Sequence, residues 1–460
     1  MNEDKKNRID QTPLCLERAS KDYTSNDAII LAVQNDLVVS LHSGSSESIQ
    51  VQGDIILKLR PKPRLVIELD SEEKIFIENF NCEQILKVST DSFDMYCRAT
   101  RLDQNNFGKY NIILSSIDDK THVKNADGLH YATFDVLNFP MCLGEGVRGR
   151  NNSNLLYKSR LKIQDESWEI IFDKVENFKA VQEKLKSNDG FGVTYTGRIE
   201  KLNGQQFHSQ ELNQIINKVY YFLSFARGAN SPVFTFHGYN DQDERIWQDW
   251  SIHRSARWSL TQKNWFCNQH AFDQLSYLFP QWSKLFDDEL WKKEIPKILY
   301  WYFYSGRNTE GAGTDGSLVL AIAALELFSY NYLVRHTSLR SKDKYDSKKL
   351  SNNIYKMLEE LDITDELPQN LEKLHGYAIQ ENWQRGPKAI VEIRNEIVHP
   401  NRESSPGSHV CYEALRLALW YIEMVILKLC NYEGVYSNRL KQPKWRGMVE
   451  QVPWTIESES

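Results

Sequence analysis

The sequence predicts an α+β protein, with a β-rich antiparallel N-terminal domain followed by an all-α helical bundle. Three observations predict it. Short period-two runs, punctuated by Gly, Asn, Asp and Pro, fill the first two hundred residues. Helical spacing takes over near Glu211, and from Asp287 onward no convincing strand remains. The length, 460 residues, suits two to three domains, and 41% apolar with 26% charged residues is enough to bury real cores.

The strands come first. Ile55, Leu57 and Leu59 share one face before Arg60-Pro61-Lys62-Pro63, and Leu65, Ile67 and Leu69 follow, then Ile75-Phe76-Ile77. Further runs lie at 85–88, 96–98, 112–114, 132–134 and 168–171. Together they predict a sandwich or barrel over 1–205. Next, Leu212, Ile215, Ile216, Val219, Phe222, Leu223 and Ala226 recur at helical spacing, with Gly228 as the stop. Residues 233–236, 245–247 and 250–258 read as two or three more strands. The stretch 206–280 is therefore expected to pack on the N-terminal domain. The bundle is expected over 281–440 and a tail over 441–460, its last four residues mobile.

Five helices are expected in the bundle. The first covers about 288–305, with Pro296 kinking it or marking its start. The second runs from an Asp315 N-cap towards Val334. The third covers 348–361, the fourth lies between Pro387 and Pro400, and the fifth covers 409–431.

Composition excludes several classes. The net charge of −6 and mild acidity in both halves argue against a generic nucleic-acid coat. The seven cysteines (15, 82, 97, 142, 267, 411, 430) never stand at C-x-x-C spacing, so neither a zinc knuckle nor a disulfide framework is signalled. The N-terminus lacks the apolar core of a secretory signal. The apolar stretch Leu318–Leu333, interrupted by Glu326, reads as too short for a membrane span. A reducing cytoplasm and no membrane are expected. Phosphate-loop, dinucleotide, zinc-protease and serine-hydrolase motifs are missing, and no cofactor is expected. Gly311-Ala312-Gly313-Thr314-Asp315-Gly316 reads as a flexible loop, and His253, Cys267 and His270 fit no standard metal spacing.

Chemistry concentrates in Ile393-Arg394-Asn395-Glu396-Ile397-Val398-His399-Pro400. Asn395 and His399, four apart, stack on one helix face, and the long Arg394 stem can reach around to them. Pro400 disfavours helical geometry at His399, which places the imidazole at a helix C-terminus. There the helix dipole favours imidazolium and the guanidinium opposes it, a balance suited to general acid–base work. Glu326 sits in Ala321-Ile322-Ala323-Ala324-Leu325-Glu326-Leu327-Phe328, apolar on nearly every face. A carboxylate there is costly unless paired, and Arg394 or His399 is the expected partner. The structural alternative is a solvated Arg-x4-His face with a capping histidine, and a polar stripe of Glu326 with Tyr330 and Arg335.

Arg394-Asn395-x-x-x-His399 near the end of a bundle, preceded by an Ala-rich helix containing Ala-Leu-Glu, resembles the HEPN superfamily. Tyr221-Phe222-Leu223-Ser224-Phe225-Ala226-Arg227-Gly228, Tyr432-Glu433-Gly434-Val435-Tyr436-Ser437-Asn438-Arg439 and Val452-Pro453-Trp454 make the chain similar to bacterial ApeA-type proteins. The resemblance implies metal-independent RNA cleavage in antiphage defence by abortive infection. RNA, with tRNA among the candidates, would be the substrate. It implies His399 as acid, base or both, Arg394 as phosphate clamp, Asn395 as orienting group and Glu326 as the support of Arg394. It further implies a homodimer, or a higher even-numbered assembly, through the bundle, and a phage-derived trigger at the N-terminal domain. From another class, the bundle would be a non-catalytic assembly module and the β-rich domain a sensor of a phage protein or nucleotide.

Overall fold

The computed structural model describes residues 12–18, 28–41, 48–71, 85–91, 93–104, 110–117, 121–150, 155–188, 190–258, 264–306, 313–399, 406–441, 445 and 447–455. The expected strand at Ile75–Ile77 and the mobile end, 457–460, lie outside them. The chain forms two compact units, 1–223 with 231–260, and 224–230 with 261–460.

The first unit holds two antiparallel sheets. Strands β1 (Ala28–Leu41), β2 (Ser48–Lys58), β3 (Arg64–Ser71), β4 (Ile85–Ser89), β5 (Phe93–Gln104), β6 (Tyr110–Ser116) and β7 (His122–Val123) run in the order β4-β1-β2-β3-β6-β5-β7. An additional β4–β5 pairing closes six of them into a barrel. Register explains why the alternating residues form it. Ile55 opposes Ile67 and Leu57 opposes Leu65, so these four buried residues share one face, while Ile56 and Val66 pair on the other face and are buried there too.

The second sheet comprises β8 (Tyr131–Leu137), β9 (Glu145–Arg148), β10 (Leu156–Gln164), β11 (Trp168–Lys174), β12 (Val193–Lys201), β13 (Val233–Tyr239) and β14 (Arg245–Asp249), ordered β14-β13-β8-β12-β11-β10-β9. Helix α1 (Phe178–Asn188) lies between β11 and β12 in the chain, and α2 (Ser209–Arg227) between β12 and β13. The β-rich region is thus two sheets and extends to Asp249, past the expected limit of 205, because β13 returns after α2 to pair with β8. The side chain at Gly197 is missing for a reason: a Cβ there would run into the Phe134 ring across the ladder. Trp168, Thr194, Thr196, Trp247, Trp250 and Trp258 are all buried.

Helix α2 buries Leu212, Ile215, Ile216, Val219, Phe222 and Leu223 on one stripe. It ends at Gly228 with φ +76°, where Ala229 N–H donates to Ser224 O and Gly228 N–H to Phe225 O. That is the six-to-one and five-to-two pair of a Schellman cap. Residues 250–258 contain no strand, although they alternate between buried and accessible. Their amides go elsewhere: Trp250 N–H donates to Thr121 Oγ1, Ser251 N–H to Asp249 Oδ1 and Trp258 N–H to Gly190 O.

The second unit is helical: α3 (Ala271–Asp287), α4 (Trp291–Ser305), α5 (Gly313–Tyr330), α6 (Lys342–Asp346), α7 (Leu350–Glu360), α8 (Glu372–Gln380), α9 (Gly386–Val398) and α10 (Ser408–Leu429). Three of these, α3, α6 and α8, go beyond the five expected, and Pro296 lies inside α4. Helix α5 passes into a π-helix over Asn331–His336. A two-stranded ladder, β15 (Val435–Tyr436) with β16 (Glu450–Gln451), ties down part of the expected tail. The combined helix Gly313–His336 is 24 residues long and its most apolar 18-residue stretch has mean hydropathy 1.6, enough by length and composition to cross a membrane; 61% of that stretch is buried in the fold, as in a core helix. Helix α10 packs against α4, α5, α8 and α9 and buries nearly its whole length from Leu417 to Leu427. The six described cysteines are buried, and none forms a disulfide with another of them.

Candidate functional site

Helix α9 begins with Pro387 in its first turn, where the missing N–H costs nothing. Ala389, Ile390 and Ile393 are fully buried and face the helices that α9 contacts, α5, α7 and α10. With that face fixed, Arg394 and Asn395 come to the half-exposed side of the last turn. Arg394 Nη1 donates to Asn395 Oδ1 at 3.2 Å, while Arg394 Nε is buried with no hydrogen-bond partner among the described residues. His399 caps the helix in extended geometry (φ −109°, ψ 113°), as a residue before proline should. Its N–H closes the last helical bond, to Asn395 O at 3.0 Å. The imidazole is exposed and makes no hydrogen bond or ion pair among the described residues. One turn of helix thus presents a guanidinium, an amide and an accessible imidazole together.

Neighbouring helices bound this turn. From α8, Tyr377 OH donates to Glu396 Oε2 at 2.8 Å. On another side, at the start of α10, burial pushes the Cys411 thiol up to about 11, with further upward contributions from Asp315 of α5 and from Glu396. The first turns of α5 and α10 therefore lie close to the motif helix. Asp315 stands in the first turn of α5 and not at its N-cap, because the helix opens at Gly313.

Glu326 does not join the constellation. It lies on the outward stripe of α5, exposed, and its carboxylate makes no hydrogen bond or ion pair among the described residues. Only its backbone oxygen is engaged, by Ser329 Oγ and Tyr345 OH. The expected pairing with Arg394 is therefore corrected: the helix is apolar in sequence on most faces, but the Glu326 side chain itself stays exposed, so no buried carboxylate needs a partner.

The same reasoning applied to α10 would have found a buried carboxylate. Glu423, fully buried, accepts from Arg439 Nε at 3.0 Å, from Arg439 Nη2, and from Tyr302 OH at 2.5 Å. Burial works against the Arg439 charge, but Glu423 and Tyr302 outweigh it and move its pKa upward. Burial and the Glu423 charge hold the Tyr302 phenol far above its usual range. Glu294 of α4, 5% exposed, forms a second network with Lys297, Arg335 and the buried Asn331 of the π-helix. The Glu423 network is enclosed by the bundle, whereas the Glu294 network reaches solvent through Lys297 and Arg335.

His253, Cys267 and His270 are each engaged in other contacts. His253 stacks on Tyr220 with centroids 4.4 Å apart; in the other unit His270 Nε2 faces Gly447 O at 3.2 Å and Cys267 N–H donates to Gln274 Oε1. Among the described residues no three His, Cys, Asp or Glu side chains are grouped to hold a metal ion.

Residues 124–261 match the family described as the YopA central domain, and residues 288–451 match the YopA C-terminal domain. The SPbeta prophage-derived uncharacterized protein YopA of Bacillus subtilis (strain 168) is 26% identical over 463 residues, spanning 96% of this chain and 98% of that protein. No solved structure is significantly similar.

Proposed function

We propose that the protein is a metal-independent RNA endonuclease of the HEPN type, acting in the bacterial cytoplasm in defence against phage. The observation that carries the reading is the last turn of α9, where half-exposed Arg394 is bonded to Asn395 and the helix ends in the exposed cap His399. The relative's prophage origin suits a protein whose work belongs to the contest between phage and host.

The chemistry is in-line transfer within RNA. The ribose 2′-oxygen attacks the adjacent phosphorus, a base removes its proton, and the bond to the 5′-oxygen breaks as that oxygen gains a proton. The products are a 2′,3′-cyclic phosphate and a 5′-hydroxyl. His399 holds or moves the proton at one or both oxygens, which an exposed, uncommitted imidazole can do. Arg394 pairs with the non-bridging phosphate oxygens, where charge grows in the transition state. Asn395, already bonded to Arg394, sets the guanidinium plane. Glu326 has no part in this account. Val398, 38% exposed beside His399, leaves apolar surface for a second copy, and the proposal includes a homodimer or a higher even-numbered assembly of bundles. The slight acidity of the chain confines RNA contact to a small site. Arg394→Ala and His399→Ala test the reading: both abolish cleavage and leave assembly unchanged, whereas a purely assembling bundle would change only assembly.

A further inference from the structure

The β-rich unit contains a cavity of about 120 Å³ unrelated to the motif helix. Its walls are mostly apolar, Leu59, Val181, Leu185, Phe191 and Val193, with Asn177 as a neutral polar group among them. Three cations, Arg18, Arg60 and Lys184, also line it, and no acidic side chain does so among the described residues. Arg18 is the inner one, with its side chain 23% exposed and 3.6 Å from the fully buried Asp135; Arg60 and Lys184 are exposed at the mouth. Burial works against the Arg18 charge, with Asp135 opposing that effect, so an additional anion nearby would be stabilising.

We propose that this cavity binds a small organic phosphate, its apolar body against Phe191, Leu185 and Leu59 and its phosphate between Arg60, Lys184 and Arg18. The size agrees, since an apolar cavity of about 150 Å³ holds benzene. The polarity agrees as well: apolar walls with a few convergent charged groups are the usual make-up of a small-molecule site. Two cations at the mouth suit a dianionic head, which each can meet with a charge-assisted hydrogen bond. Gly192 keeps the wall thin, because a Cβ there would come within 2.9 Å of Val181.

The test uses the full-length protein and phenyl phosphate, followed by calorimetry and by ligand-observed NMR, with phenol as the uncharged counterpart. Phenyl phosphate is expected to bind and phenol not. Lys184→Ala and Arg60→Gln, both at exposed positions and checked for unchanged melting, are each expected to weaken binding about tenfold, the worth of one hydrogen bond to a charged group; Lys184→Glu should abolish it. The proposal is overturned if phenyl phosphate fails to bind at about 10 mM, a concentration that reveals even millimolar affinity. It is equally overturned if phenol binds as well, or if the variants bind like the wild type. None of these results bears on RNA cleavage.

Discussion

Arg394 Nη1 donates to Asn395 Oδ1 at 3.2 Å, a bond between consecutive residues of one helix. Neighbours on a helix point about 100° apart and do not normally meet. Here the long arginine stem lets the guanidinium reach the amide of its neighbour, one turn before the cap His399. Arg394→Ala and His399→Ala are each expected to lower RNA cleavage by at least about a hundredfold, the usual worth of a charge-stabilising or proton-transferring group. Arg394→Lys should not rescue, because an ammonium lacks the planar fork. Asn395→Ala should leave a measurable fraction of the activity. Gel assays of cleavage beside melting curves check this, and the melting temperatures should stay close to wild type because Arg394 is half-exposed and His399 is exposed.

Glu326→Ala is expected to change neither cleavage nor stability, the latter by less than about 0.5 kcal/mol, since an exposed surface substitution removes no packed contact. A hundredfold loss of cleavage in this variant would return Glu326 to the site. Chemical denaturation and the same RNA assay read both quantities.

Glu423→Ala should be among the most damaging single changes in the bundle. It strands Arg439, 7% exposed, and removes the acceptor of Tyr302, and breaking a buried pair this way costs about 3–5 kcal/mol. Replacing both partners by apolar residues, Glu423→Leu with Arg439→Met, should recover much of that loss. Urea unfolding of the two single variants and the double variant measures the coupling.

Acid should loosen the C-terminal ladder. Burial opposes ionisation of Glu450, but hydrogen bonds from Lys441, Asn438 and Tyr436 outweigh it and hold its pKa below the ordinary 4.5. A lowered carboxylate contributes stability that is complete above its unfolded value and lost as pH falls through the folded one. Glu450→Gln should therefore be less stable than wild type at neutral pH, and the difference should shrink as pH falls below 4.5 and on through the lower folded value, until both carry a neutral side chain. Hydrogen exchange at Val435 and Gln451 reports the ladder directly.

Much of the fold is legible because its signals are local. Ile55, Leu57, Leu65 and Ile67 alternate because one face of each strand turns inward, and Gly228 marks the end of α2 because a left-handed residue is needed there. The sheet that reunites β8 with β13 is not legible, since Thr235 meets Asp135 across a hundred residues of chain. At 250–258 the alternation reflects burial of Trp250, Ile252, Ala256 and Trp258 without any ladder, so period two alone misled. The helix end at Arg394, Asn395 and His399 was readable because Pro387 and Pro400 bracket it. Glu326 and Glu423 both interrupt apolar helices; which one is buried depends on which face meets neighbours, and that is settled by tertiary packing.

The most direct test is incubation of purified protein with total bacterial RNA in excess EDTA, beside His399→Ala, with and without lysate of phage-infected cells, reading the chemistry of the new ends. The account predicts cleavage by the wild type alone, leaving 2′,3′-cyclic phosphates and 5′-hydroxyls. Equal cleavage by the variant, or no cleavage by the wild type under either condition, would contradict it.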